Sequence, residues 1–230
     1  MQGILVNIEG TDCSGKGTQT ELLLNRLKEE GYKVCKLSFP MYDTPTGKIV
    51  GGPYLGKHSI CDGYFKEGAA NVDAKVASLY FAADRYYNSY KIREAIDDND
   101  VVILDRYTDS NMAHQGGKIK DYNERIKMYK WLDTLEYGLL NLPKPDLTIF
   151  LYMPHKYAEI LKKGRTEIDE HELNEEHLMN AEKAYIEISN MYKYKTINCI
   201  SNDSIRTIED INNEVYGILN EYMNIKKKQH

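Results

Sequence analysis

Residues 10–18 read Gly-Thr-Asp-Cys-Ser-Gly-Lys-Gly-Thr, between an apolar run at 4–8 and a helical pattern that begins near residue 16. Gly10, Gly15 and Lys16 fit the spacing G-x-x-x-x-G-K of a phosphate-binding loop. Glycine lets backbone N–H groups close on an anion at a helix N-terminus, and lysine brings a positive charge to the outer phosphates. The metal-binding hydroxyl should follow the lysine directly. Here Gly17 does, and Thr18 comes one step later. A tight turn with a surface lysine is the competing reading, disfavoured by the full spacing directly after a strand. A second candidate closes the apolar run 101–105, Val-Val-Ile-Leu-Asp. A buried strand ending in Asp105 sets a carboxylate beside the phosphate loop at the C-terminal sheet edge, where it can serve a metal or its water. Strands ending in aspartate are common. The segment Asp105-Arg106-Tyr107 with Ser110-Asn111 behind it is more specific.

These groups need a scaffold. Apolar runs at 4–8, 33–39, 101–105, 146–153 and 195–200 read as strands, and amphipathic stretches at 16–30, 73–97, 122–140, 174–192 and 208–225 read as helices. Near-continuous apolar strands separated by helices predict an α/β fold, a parallel sheet covered on both faces. No repeat or flexible linker interrupts 1–230, so one domain is expected. The sequence has 230 residues, 42% hydrophobic and 28% charged, with net charge −5, which gives no reason to expect nucleic acid or an anionic membrane as partner. Met1-Gln2 leads straight into the first strand, and no run approaches a membrane span of roughly 18 residues. Cys13, Cys35, Cys61 and Cys199 are scattered without metal-ligand spacing, so a reducing cytoplasm is the expected setting. Lys226-Lys227-Lys228 reads as a frayed, solvated helix end, and His171 and His177 as solvated.

The form Gly-Lys-Gly-Thr-Gln resembles the loop of adenylate-kinase-like nucleoside monophosphate kinases. Together with 39–55, Leu79 to Arg85, 105–111 and 142–151, in that order, the chain resembles the thymidylate kinases, which phosphorylate dTMP with ATP. The resemblance implies a P-loop kinase with a five-stranded parallel sheet and a short lid at about 161–172, usually a homodimer, acting on two small molecules with Mg2+. It implies that Gly10, Asp12, Cys13, Ser14, Gly15, Lys16, Gly17 and Thr18 hold ATP, with Asp12, Thr18 and Asp105 toward the metal. It implies that Asp12 meets the dTMP 3′-hydroxyl and that Phe81 stacks on thymine. Arg85, one turn on, donates to O4, and Asn111 reads N3 beside Ser110. Phe39, Tyr42 and His114 complete the acceptor site, His114 standing where relatives carry an aromatic near the sugar 2′ position. Arg106 bridges the two phosphates, supported by Asp105. Cys13 and Ser14 put no cation in the loop, so the lid must supply the catalytic arginine, and Arg165 is the arginine there, with Lys162 and Lys163 as lesser candidates.

Two departures stand out. Met41 occupies a position that commonly carries a phosphate-binding arginine, leaving Tyr42, Arg106 and Lys48 as substitutes. Residues 56–72 look longer than the usual connection and have no assigned task. A deoxynucleoside kinase or another monophosphate kinase is the near alternative, disfavoured by the base-reading residues. A nucleotide-dependent regulatory protein is the remote one, since no guanine-reading or switch segment is found.

Overall fold

The computed structural model describes residues 3–162 and 175–228. Five parallel strands, β1 (Ile4–Gly10), β2 (Val34–Ser38), β3 (Val101–Asp105), β4 (Leu147–Tyr152) and β5 (Lys195–Asn198), form one sheet in the order β2-β3-β1-β4-β5. The helices are α1 (Lys16–Glu29), α2 (Pro45–Ile49), α3 (Ala74–Tyr87), α4 (Ser89–Asp98), α5 (Thr108–Gly116), α6 (Tyr122–Asp133), α7 (His155–Lys162), α8 (Glu175–Met191) and α9 (Ile208–Lys228). This is the expected α/β architecture, because strands buried on both faces must be apolar at successive positions. Val6, Ile8, Ile103 and Ile149 pack with Leu23 and Leu27 of α1 and with Ile211, Val215 and Leu219 of α9. Leu5, Val102 and Leu104 face the other way, toward Ile92 and Ile96 of α4. Register then fixes the site. Ile8 pairs with Asp105 and Gly10 with Leu151, so the loop after β1 and the loop after β3 leave the sheet side by side.

Four expectations are corrected. The helix expected at 73–97 is two, broken at Asn88, whose buried side-chain amide donates to Asp84 O at 2.9 Å and so ends α3 with a local side-chain bond. The helix expected at 122–140 passes after Asp133 into a wider π-type turn, Thr134–Leu139. The basic end is no frayed tail, because α9 runs to Lys228 and Lys226 donates to Asp146 at 2.7 Å. His177 is 5% exposed, because it falls on the face of α8 that also buries Leu178 and Ala181. Helices α2, α5 and α7, short or polar, were not foreseen. Among the described residues no helix is long and apolar enough to cross a membrane.

Candidate active site

The loop after β1 is a turn that only certain backbones accept. Gly15 sits at φ +79° and Cys13 at φ 52°, left-handed positions where a Cβ is ordinarily strained. A Cβ on Gly10 would lie 2.3 Å from Ser14 Oγ and 2.8 Å from Leu151 O, so glycine is required there. Ser14 Oγ is buried without a hydrogen-bond partner, an orphan that suits an incoming phosphate oxygen. Lys16 opens α1 and folds back over the loop, its Nζ donating to Gly10 O at 2.8 Å and Thr11 O at 3.0 Å. Burial, helped by the neighbouring Arg106 charge, pushes its pKa down to about 7 against the attraction of Glu9, Asp105 and Asp12.

That depression has a measurable consequence. Above pH 7 the empty-site lysine is largely neutral, and polyphosphate oxygens favour its charged form, so ATP binding should draw in a proton. Calorimetry near pH 8 in buffers of different ionisation heat should report uptake of about one proton, vanishing near pH 6 and in Lys16→Ala. Equal uptake at both pH values would contradict the assignment.

The loop after β3 carries Arg106 at φ +67°. Glu9 holds it. Glu9 Oε1 accepts from Tyr107 N at 2.7 Å and Ser110 N at 3.2 Å, and Oε2 accepts from Ser110 Oγ at 2.7 Å and Tyr185 OH at 3.1 Å. The buried carboxylate therefore caps the start of α5 and ties it to the strand that leads into the phosphate loop. Burial alone would lower the Arg106 pKa. Tyr185, Glu9, Asp105 and Tyr42 raise it instead, and the guanidinium stays charged.

Between these loops and α3 lies a cavity of about 430 Å³ lined by Asp12, Phe39, Tyr42, Phe81, Arg85, Asp105, Arg106, Ser110, Asn111 and His114, together with Leu55, Lys57, Tyr107 and Leu178. Asp12, Phe39, Tyr42, Phe81, Arg85, Arg106, Ser110, Asn111 and His114, all expected around the acceptor, thus border one space. Asp105 also reaches back to the phosphate loop, since a Cβ on Gly17 would meet its Oδ2 at 4.0 Å. Asp12 and Asp105 border the cavity together and offer carboxylate oxygens, donor chemistry that fits magnesium, whereas Thr18 is exposed on α1 and does not border it. Phe81 stands perpendicular to Tyr54, ring centroids 5.6 Å apart. Arg85 is 2% exposed and doubly bonded to Glu136, Nε to Oε2 at 2.5 Å and Nη2 to Oε1 at 2.6 Å. Asn111 Nδ2 donates to Glu136 Oε1 at 3.1 Å and Ser78 O at 3.2 Å, while its Oδ1 is without a hydrogen-bond partner. His114 Nδ1 is 3.2 Å from His177 Nε2, the rings stacked.

Some expected residues lie elsewhere. Met41 is buried among the apolar residues beneath the sheet, its N–H donating to Asp84 Oδ2 at 2.9 Å, and does not border the cavity. Lys48 is exposed on α2 and does not border it either, so it is corrected as a substitute for the missing arginine. Lys163, Arg165 and His171 lie outside the described residues, as does the side chain of Lys162. The unassigned segment 56–72 turns out to be a wall. Its Phe65, Ala69 and Val72 pack with Tyr54, Leu55, Tyr80 and Phe81, and Lys118 Nζ ties it down by donating to Ala69 O and Val72 O at 2.9 Å each. It also delivers Lys57, whose Nζ stands 4.8 Å over the Tyr42 ring. Lys57, Glu9 and Glu136 were not singled out in the sequence. For Lys57 the signal was a lone basic residue in an added segment, and for the buried glutamates a charge inside an apolar pattern.

Comparison with known proteins agrees with this geometry. The thymidylate kinase family model matches residues 8–215. A Thermococcus gammatolerans protein named "Probable thymidylate kinase" is 31% identical over 220 residues, covering 94% of this chain and 96% of that one. The Schizosaccharomyces pombe thymidylate kinase is 28% identical, covering 95% and 92%. The solved thymidylate kinase of Candida albicans superposes with a TM-score of 0.74 at 25% identity, covering 97% of this chain and 93% of that one. With the family model matched from residue 8 to residue 215, around a glycine-cradled lysine and a carboxylate-arginine loop on one sheet edge, the chain belongs to the thymidylate kinase family.

Proposed function

We propose that the cavity holds dTMP and the loop after β1 holds ATP, so that the family reaction, ATP-dependent phosphorylation of dTMP to dTDP, is carried out by the residues described above. The observation that carries this reading is the pairing of Arg85, a buried donor, with Asn111, whose Oδ1 lacks a partner, in the wall of one cavity that Asp105 and Arg106 share with the phosphate loop. Thymine presents an acceptor at O4 and a donor at N3, and these two side chains complement both.

Phosphoryl transfer asks the protein mainly for positioning and charge. Lys16 and the loop N–H groups hold the outer phosphates of ATP. Arg106 lies between the loop and the cavity, placed to neutralise charge on the group in transit, and the lid arginine Arg165 supplies the second cation. Asp12 and Asp105 would hold magnesium, which when bound contributes charge neutralisation at the phosphate oxygens. The attacking dTMP phosphate oxygen is already anionic, so no general base is required. In this reading 1–230 is one kinase domain.

Lys57 takes the place of the missing arginine. It borders the cavity with its ammonium over the Tyr42 ring, a basic group for the acceptor phosphate. Lys57→Ala should raise KM for dTMP about tenfold with kcat changed far less, as expected for one charge-assisted contact made in ground and transition states alike. An unchanged KM would remove it from the site. The reading as a whole is tested by ATP consumption with and without dTMP. Turnover should depend on dTMP and match dTDP formed, whereas equal turnover in its absence would contradict a kinase.

A further inference from the structure

Glu136 sits in the π-type turn after α6, 0% exposed, and belongs to no motif. Its two oxygens serve both base-facing side chains. Oε2 accepts from Arg85 Nε, and Oε1 accepts from Arg85 Nη2 and from Asn111 Nδ2. A carboxylate at this position can only accept. An asparagine amide turned by half a rotation fills almost the same space with donor and acceptor exchanged, so steric fit alone does not decide which way Asn111 faces. Glu136 decides it. With one amide hydrogen on Glu136 and the other on Ser78 O, the amide is locked with Oδ1 as its remaining group. The same carboxylate grips the Nε–Nη2 edge of Arg85. The other edge, Nη1, has only a long contact of 3.4 Å to Tyr107 O.

We propose that Glu136 is a positioning residue that sets base specificity, by fixing Arg85 as the donor and Asn111 as the acceptor presented to the base. This rests on the reading of Arg85 and Asn111 as the base-reading pair. The arrangement complements thymine or uracil. Cytosine, with an amine at C4 and a bare N3, would meet a donor with a donor and an acceptor with an acceptor. Glutamine at 136 replaces one acceptor by a donor. Placed at Oε1, its amine meets Arg85 Nη2 and Asn111 Nδ2 together, and placed at Oε2 it meets Arg85 Nε. Either way the guanidinium loses an acceptor, and the donor aimed at the base is no longer held.

The experiment compares kcat/KM for dTMP and dCMP in wild type, Glu136→Gln and Glu136→Asp. Both acceptors are read on one preparation, so the ratio is independent of the fraction folded. Glu136→Gln should lower the dTMP/dCMP ratio about 10²-fold, part of the roughly 10⁴–10⁵ available to a site built on such bonds, with KM for ATP unchanged. Glu136→Asp keeps two acceptors and should retain more of the ratio than glutamine does. A glutamine ratio within a few-fold of wild type, or equal losses toward both acceptors, would overturn the proposal. So would failure of both variants to fold, which would mark Glu136 as a core ion-pair partner only. A wild type that does not prefer dTMP would instead sink the functional reading, leaving the two failures distinguishable.

Discussion

Lys16→Ala is expected to lower kcat by about 10³-fold or more, on the scale of losing a preorganised charge where negative charge develops. The ammonium sits over the loop carbonyls of Gly10 and Thr11 and near Glu9, Asp105 and Arg106, so no other side chain in the loop can replace it. The fold should survive. Because the folded pKa of about 7 lies below the ordinary 10.5, the charged form costs stability in the empty protein. That cost is full below pH 7 and fades as pH rises toward the ordinary lysine range. Thermal melts of the ligand-free variant near neutral pH should therefore fall no lower than wild type. A variant with near-wild-type kcat would remove the loop from the mechanism.

The second large effect concerns the base. On the proposed reading, Arg85→Ala removes the donor for O4, the point at which thymine and cytosine differ most sharply. The dTMP/dCMP ratio should collapse by about 10²-fold or more, since discrimination by buried polar groups reaches about 10⁴–10⁵ when the wrong partner leaves them unpaired. The dTMP/dUMP ratio should hardly move. In the same reading the 5-methyl group meets the apolar wall near Phe81, a contact worth about 10–200-fold in which Arg85 plays no part. The substitution also leaves Glu136 buried with one fewer partner, and breaking such a pair costs about 3–5 kcal/mol. The ratio on one preparation is insensitive to that loss. An unchanged dTMP/dCMP ratio would show that Arg85 supports the fold without reading the base.

The phosphate loop was legible because its chemistry is local. A backbone that must turn left-handed at Gly15, approach within Cβ distance of Ser14 at Gly10 and end in a lysine leaves a fixed spacing in the chain. The central strands β1, β3 and β4 were legible because double-sided burial makes them largely apolar, and the C-terminal edge of β3 carried Asp105 and Arg106 into view. What stayed hidden depends on contacts distant in sequence. Nothing near Met41 announces that it turns into the core while Lys57 enters the cavity. Glu136 is one acidic residue in an amphipathic stretch until the π-type turn sets it against Arg85, 51 residues away. His177 reads as a polar residue beside the lid until α8 packs it on His114. The break at Asn88 is invisible to hydrophobic period, because a side-chain bond to Asp84 O produces it.

The account stands most directly on which monophosphate the wild-type protein accepts. With ATP as donor, kcat/KM should be highest for dTMP, lower for dUMP by about 10–200-fold, and lower for dCMP by orders of magnitude, about 10⁴ or more. Comparable efficiencies for dCMP and dTMP would contradict it.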